Sequence, residues 1–202
     1  MSQEQTALRL EKLEVLKSQG ISVYPERFQT NYELYEASSL EDGTSGVRVA
    51  GRIMGIRQFS KFSFISISDI QGKLQLLLKK NEVGEEAMSD FLNYFDIGDF
   101  IGVEGNMYST KTNEKTLRIE NYVLLGKALH PLPDKWHGLT NTDTRYRQRY
   151  IDLMMTKETQ NRMLMRTKVV RAVRRFLEEK RLFGGGNTCI TTYFLWCFST
   201  PV

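Results

Sequence analysis

One stretch constrains the fold more than any other: Val47 to Lys80, VRVAGRIMGIRQFSKFSFISISDIQGKLQLLLKK. Its side chains alternate. Val47, Val49 and Ile53 interleave with Arg48, Ala50 and Arg52; Ser63, Ile65 and Ile67 with Phe62, Phe64, Ser66 and Ser68; Leu74, Leu76 and Leu78 with Lys73, Gln75, Leu77 and Lys79. A period of two sends successive side chains to opposite faces, so the spacing predicts three β-strands with one face packed inward. Gln71-Gly72 supplies the tight turn between the second and third. The outward face carries Phe64 beside Ser66, with Gln75 nearby on the next strand. An aromatic ring among hydroxyls, amides and lysines makes a poor core. It makes a suitable platform for a nucleic-acid base.

The flanking segments extend the pattern. Gln3 to Gln19 predicts a helix, with Ala7, Leu10, Leu13 and Leu16 (and Leu8) near one face and Gly20 as its C-cap. Such a helix packs on the β-domain or lies along an RNA backbone. Ile21 to Phe28, with Pro25, reads as an extended connector, Asn31 to Ser38 as a short helix, and Ser39 to Gly46 as a loop. After the three strands, Gly84 to Phe95 predicts a helix with acids in its first turn, where the helix dipole favours them. Ile97 to Tyr108 predicts a fourth strand with Ile101, Val103 and Met107 on one face. Ser109 to Glu114 is a turn, and Lys115 to Leu125 a fifth strand with Leu117 and Ile119 inward. Three strands, a helix and two strands is the order of an OB-fold, a five-stranded Greek-key barrel whose second and third strands present the ligand face. Other small barrels share much of this order. The expected class is mainly β: an N-terminal helix plus a five-stranded barrel.

Composition narrows the function classes. The chain has 202 residues, 41% apolar and 26% charged, which fits a globular protein of one or two domains. No apolar run approaches the ~20 residues needed to span a bilayer, so no membrane partner is expected. The start, MSQEQTALRLEKLE, lacks the apolar core of a signal peptide. Cys189 and Cys197 match no metal or redox spacing, which makes a reducing cytoplasm the default location. The net charge of +4 is unevenly placed: Lys127 to Lys180 holds 13 Lys/Arg against 6 Asp/Glu. Such a stretch attracts phosphate, but it also describes a solvated helix face.

That basic stretch begins with a linker, ALHPLPDKWHGL from Ala128 to Leu139, stiffened by Pro131 and Pro133 and pinned by Trp136 and His137. His130 and His137 have no acidic or cysteine partner at metal spacing, so structural roles are expected and no metal. In Asp143 to Asp152, Arg145, Arg147 and Arg149 interleave with Tyr146 and Tyr150. Arginines clamp phosphate and rings stack, or the same residues join domains through ion pairs. Lys157 to Lys180 predicts a long amphipathic helix with Met165, Val169, Ala172, Val173, Phe176 and Leu177 on its apolar face. A helix this long needs packing partners, and little of the chain follows to supply them.

From about Leu8 to Lys180 the sequence resembles the class II lysyl-tRNA synthetases. The most specific segment is KALHPLPDKWHGLTNTDTRYRQRYIDL; VAGRIMGIRQFSKFSF, GKLQLLL, DIGDFIGVEGNMYSTKTNE and RRFLEEK agree too. The aspartate and asparagine relatives share the barrel and a looser arginine-tyrosine segment, but not PLPDKWHGL. The resemblance implies ligation of lysine to its tRNA through lysyl-adenylate, with an OB-fold gripping the anticodon loop and a C-terminal α+β domain doing the chemistry. It carries the anticodon-reading aromatic onto Phe64, the glutamine onto Gln75, the arginine onto Arg57 and the acid after the turn onto Glu114. Phe64 would stack a base, Gln75 and Arg57 would address base edge or phosphate, and Glu114 would accept from a base N–H. Arg57 has the parity of inward residues, so its role requires a bulge or strand end near Gly55. Arg145, Arg147 and Arg149 become candidate tRNA-backbone contacts. The implied division is 1–46 helical extension, 47–127 anticodon-binding barrel, 128–156 linker, 157–180 start of the catalytic domain and 181–202 tail.

After Lys180 the resemblance stops. The family continues with a string like GFLEVETPML, the first class II motif, whereas this chain reads RLFGGGNTCITTYFLWCFSTPV. Gly184-Gly185-Gly186 lacks the lysine and the strand–turn–helix of a phosphate loop. If Arg181 to Cys189 were encoded CGG CTT TTT GGA GGT GGA AAC ACC TGT, dropping one base would give GFLEVETP. The tail is therefore expected to be a frameshift product, which DNA sequencing across Lys180 tests. The family's ATP- and Mg2+-binding motifs lie beyond this point, so no catalytic residue or cofactor is expected here and no aminoacylation. The family's homodimer rests largely on the same missing motif, which puts dimerisation in doubt. The competing reading is a free-standing OB-fold that binds single-stranded nucleic acid. An enzyme acting through Asp143, Asp152 or the histidines has no carboxylate pair or nucleophile–base set to support it.

Overall fold

The alternation at Val47–Lys80 closes into a barrel. In the computed structural model, β1 (Val47–Gln58), β2 (Phe62–Ser68), β3 (Lys73–Lys79), β4 (Phe100–Ser109) and β5 (Lys115–Gly126) run in the closed order β1-β2-β3-β5-β4. Every neighbouring pair is antiparallel except β3 and β5, which are parallel. That is the OB-fold order the sequence predicts. The structure describes residues 2–110, 113–133 and 141–180, in two units, Met1–Leu132 and Pro133–Val202.

The inward residues are those the period-two spacing selects. Val47, Val49, Ile53, Ile65, Ile67, Leu76, Leu78, Ile101, Val103, Leu117 and Ile119 are fully buried. Between β3 and β4, α3 (Lys80–Val83) and α4 (Glu85–Tyr94) add a lid. Phe91 of α4 stacks on Phe95 at 4.6 Å between ring centres, and Tyr122 of β5 meets Phe91 edge-on at 5.5 Å. The hairpin between β2 and β3 is held by Asp69, whose Oδ1 accepts from the backbone N–H of Gln71 (2.7 Å) and Gly72 (2.6 Å). At a bulge between Glu104 and Gly105, a Cβ on Gly105 would lie 1.9 Å from the Arg118 carbonyl oxygen, so only glycine fits.

Four expectations need correction. The helix α1 (Ser2–Ser18) forms, but only the second half of its apolar stripe is docked. Leu13 and Leu16 are buried, whereas Ala7, Leu8 and Leu10 are exposed. Arg9 docks the first half instead, donating to the carbonyls of Ala128 (2.8 Å), Ile97 (3.1 Å) and His130 (3.3 Å). The helix ends at Gly20 (φ 74°), with Ile21 N–H bonded to Leu16 and Gly20 N–H to Lys17, as a Schellman cap requires. On β3, Gln75 and Leu77 have outward parity but are nearly buried, because β5 runs alongside and α3 packs on both strands. The fourth strand starts at Phe100, not Ile97, and the short helix α2 covers only Leu34–Ala37.

In the second unit, α5 (Thr142–Arg147), α6 (Arg149–Met155) and α7 (Lys157–Glu179) follow one another. Asn141 caps α5, its side chain accepting from the N–H of Asp143 (2.8 Å) and Thr144 (3.3 Å). The chain breaks helical geometry at Thr156, and α7 then runs unbroken. Met165, Val169, Val173 and Phe176 on its apolar face are exposed. Trp136, His137 and the 181–202 tail lie outside the described residues.

Candidate nucleic-acid interface

A register shift in β1 organises the outer surface of the barrel. Up to Ile53, which pairs with Ile67, β1 alternates normally; the next pair is Gly55 with Ser66. Met54 is the extra residue of a β-bulge, and beyond it every side chain changes face. Arg57 therefore pairs with Phe64 and points outward with it. Gln75 pairs with Ser66, two residues along β2 from Phe64, and so shares that face.

Arg57, Gln75 and Glu114 come together. Arg57 and Glu114 are exposed, Phe64 is half-buried and Gln75 is 8% exposed. With the Gln75 amide in one orientation, its oxygen accepts from Arg57 Nη2 at 3.4 Å and its nitrogen donates to Thr116 Oγ1 at 3.2 Å. That points an amide oxygen at the Glu114 carboxylate. Turned over, the nitrogen donates to Glu114 at 3.0 and 3.3 Å and the oxygen accepts from Thr116 Oγ1 at 3.2 Å. The second arrangement satisfies both ends of the amide and is the better one. It leaves the Arg57 guanidinium without an acceptor on Gln75, and no ion pair joins Arg57 to Glu114 among the described residues.

Sequence reasoning missed Thr116, which seats the Gln75 amide. Its only signal is the parallel pairing of Gln75 with Thr116 across β3 and β5, a non-local fact. It also missed the extent of the aromatic surface. Phe59, Phe62 and Phe64 form one cluster: Phe59 stacks on Phe62 at 4.8 Å, and Phe64 meets Phe62 edge-on at 5.4 Å. The spacing F-S-K-F-S-F was the available sign.

The three arginines of the second unit are already engaged. Arg145 Nε donates to Asp152 Oδ1 at 2.9 Å and its Nη2 to Thr159 Oγ1 at 3.0 Å; Arg149 Nη1 donates to Asp152 Oδ2 at 3.1 Å. Asp152 is fully buried. Burial pushes its pKa up, but hydrogen bonds from Thr156, Arg145 and Thr159 and the Arg145 charge outweigh that and hold it below the usual value. Arg149 also lies over the Tyr146 ring, 4.7 Å from its centre. Among the described residues Arg147 pairs only with exposed Asp143, at 2.7 Å, and its own side chain is 78% exposed. This is the ion-pair alternative, within one unit.

Among the described residues, no three His, Cys, Asp or Glu converge to hold a metal ion. No helix among them is long and apolar enough to cross a membrane.

Residues 47–125 match the family of OB-fold nucleic acid binding domains. Over 88% of its length the chain is 38% identical to a lysine–tRNA ligase of Magnetococcus marinus and 42% identical to one of Xylella fastidiosa. A lysine–tRNA ligase of Aquifex aeolicus is 42% identical over 73% of the chain. The chain spans 37% of the length of the first two relatives and 25% of the third.

Proposed function

We propose, from this homology to the N-terminal part of lysine–tRNA ligases, that the chain is the anticodon-binding part of such an enzyme. The observation that carries the reading is the patch on which Arg57, Gln75 and Glu114 meet beside Phe64. Lysine codons are AAA and AAG, so the anticodon is rich in uridine. Uracil presents an imino N–H between two carbonyl oxygens. Glu114 accepts from the N–H, Arg57 donates to a carbonyl, and the Gln75 amide can do either by turning over. Phe64 stacks the ring itself, worth ~1–3 kcal/mol.

In the free protein Gln75 already satisfies Glu114 and Thr116. The base therefore exchanges one set of hydrogen bonds for another, which makes the site selective rather than merely sticky: a base with the wrong edge leaves Glu114 or Arg57 unpaired. Arg147, the most exposed of the three arginines, is the best placed to reach phosphate; Arg145 and Arg149 act by fixing α5 and α6. The location is cytoplasmic. ATP and Mg2+ belong to the later class II motifs of the full-length family, so a 202-residue polypeptide of this sequence forms no lysyl-adenylate.

The test is binding of an RNA anticodon stem-loop with a UUU anticodon. The 202-residue chain binds it in preference to loops of other sequence, and Phe64→Ala weakens binding by roughly tenfold or more. Equal affinity for any single strand, with steep salt dependence, would instead mark a general single-strand binder. Detectable adenylate formation by the purified chain would refute the statement on catalysis.

A further inference from the structure

The β1–β2 hairpin carries an aromatic residue that the anticodon reading does not use. Phe59 sits at its tip and is 48% exposed. The tip is closed by a hydrogen bond from Phe59 N–H to the Phe62 carbonyl, 2.9 Å. One face of the Phe59 ring lies on Phe62, their planes 27° apart. With that face covered, the residue still keeps nearly half of its surface open to solvent. The ring stands at 86° to Phe64, with centres 6.3 Å apart. Two cationic residues flank the cluster. Lys61 is exposed at the tip and makes no ion pair among the described residues, and Arg57 lies across from Phe64.

We infer that Phe59 is a second stacking platform, which takes the base of a nucleotide adjacent to the one held on Phe64. The inference rests on the anticodon reading and deepens it. A half-exposed ring at a loop tip contributes little to the barrel, since Phe62 already shields the hairpin. Every base has a π-face, so such a ring adds affinity without reading sequence. The charges decide the occupant: a ring on a hairpin that carries Arg57 and Lys61 two positions to either side of it, continuous with a polar edge-reading patch, suits a polyanionic strand better than an apolar partner. The near-perpendicular planes of Phe59 and Phe64 fix the geometry. Two neighbouring bases cannot stay stacked on each other while one lies on each ring, so the strand must splay at this step, with Lys61 at the phosphate between them.

The experiment uses the 202-residue chain and the UUU stem-loop. Phe59→Leu keeps an apolar cover over Phe62 but removes the π-face, and Phe59→Tyr keeps the π-face. Phe59→Leu is expected to weaken binding roughly tenfold and Phe59→Tyr to retain it within about twofold. An abasic nucleotide beside the one that Phe64 holds is expected to erase the difference between wild type and Phe59→Leu, while Phe64→Ala still weakens binding. If Phe59→Leu binds like wild type and Phe64→Ala does not, the second platform is wrong and the anticodon site stands. If Phe64→Ala is also without effect, or the wild-type chain does not bind the loop, both fail.

Discussion

Lys127 is the most heavily committed side chain in the barrel, and replacing it with methionine tests how the barrel's end is held. Its ammonium is fully buried and donates to Asp99 Oδ2 at 2.7 Å, to Asp96 Oδ2 and to the Tyr94 carbonyl. Asp99 is fully buried too, and Asp96 is largely so. Lys127→Met leaves a buried carboxylate and a carbonyl without their cation. Breaking a buried pair from one side costs about 3–5 kcal/mol. Asp99 keeps two backbone donors, the N–H of Asp96 and of Ala128, both at 2.8 Å, and Asp96 keeps Lys12 at 2.9 Å. Those three surviving contacts place the loss at the low end, about 3 kcal/mol. In a urea titration at pH 7 the midpoint then falls by about 1.5 M, for a slope of about 2 kcal/mol/M. The pH dependence has a definite sign. Burial raises the Asp96 pKa, but Lys127 and Lys12 outweigh it and hold the group below its ordinary value of 3.8. Its contribution is therefore complete above that ordinary value and is lost as pH falls through the depressed one. In the variant Asp96 loses the Lys127 contribution and protonates more readily, so the gap between the two proteins is widest at neutral pH and narrows in acid. A loss below about 1 kcal/mol at pH 7, or a gap that widens in acid, would refute the reasoning.

The remaining stability predictions concern single buried groups. The Ser63 hydroxyl is fully buried on the inner face of β2 and has no hydrogen-bond partner among the described residues, so Ser63→Ala is expected to leave the urea midpoint unchanged or raise stability by about 1 kcal/mol. A loss of that size would mean that the hydroxyl has a partner. Asp152→Asn removes the charge on which Arg145 and Arg149 converge, so the packing of α5 and α6 on α7 loosens, which amide hydrogen exchange in Thr142–Met155 detects as faster exchange. Because the Asp152 pKa is held below the usual 3.8, the wild-type protection persists down to that value and disappears as pH falls through the depressed one.

Most of the barrel was legible because its signal is local. Inward residues repeat every second position, and the hairpin is specified by Asp69 and Gly72 within four residues. What was not legible depends on distant chain. The docking of the first half of α1 is set by the carbonyls of Ala128, His130 and Ile97, which accept from Arg9 across some 90 to 120 positions, so the leucine stripe located only the buried Leu13 and Leu16. Gln75 and Leu77 are covered because β5 runs parallel to β3, and alternation within β3 carries no trace of that neighbour. The arginine-tyrosine segment was ambiguous for a similar reason. Its composition suits phosphate as well as carboxylate, and only the burial of Asp152 decides where Arg145 and Arg149 point.

The bulge at Met54 joins the fold to the candidate site. In unbroken alternation from Val47, Arg57 would occupy an inward position opposite the fully buried Ser63 of β2, where burial of a guanidinium is prohibitive. One extra residue reverses the face, so that Ile56 takes the inward place opposite Ile65 and Arg57 moves outward opposite Phe64. Gly55 occupies the position just after the extra residue, and its carbonyl accepts from Ser66 Oγ at 3.4 Å. The same local irregularity thus keeps a charge out of the core and delivers the donor that stands beside Gln75 and Glu114. The resemblance assigned a role to an arginine of the wrong parity, and that mismatch was itself the trace of the bulge. A functional residue that breaks the alternation of an otherwise regular strand marks where the strand must depart from regularity.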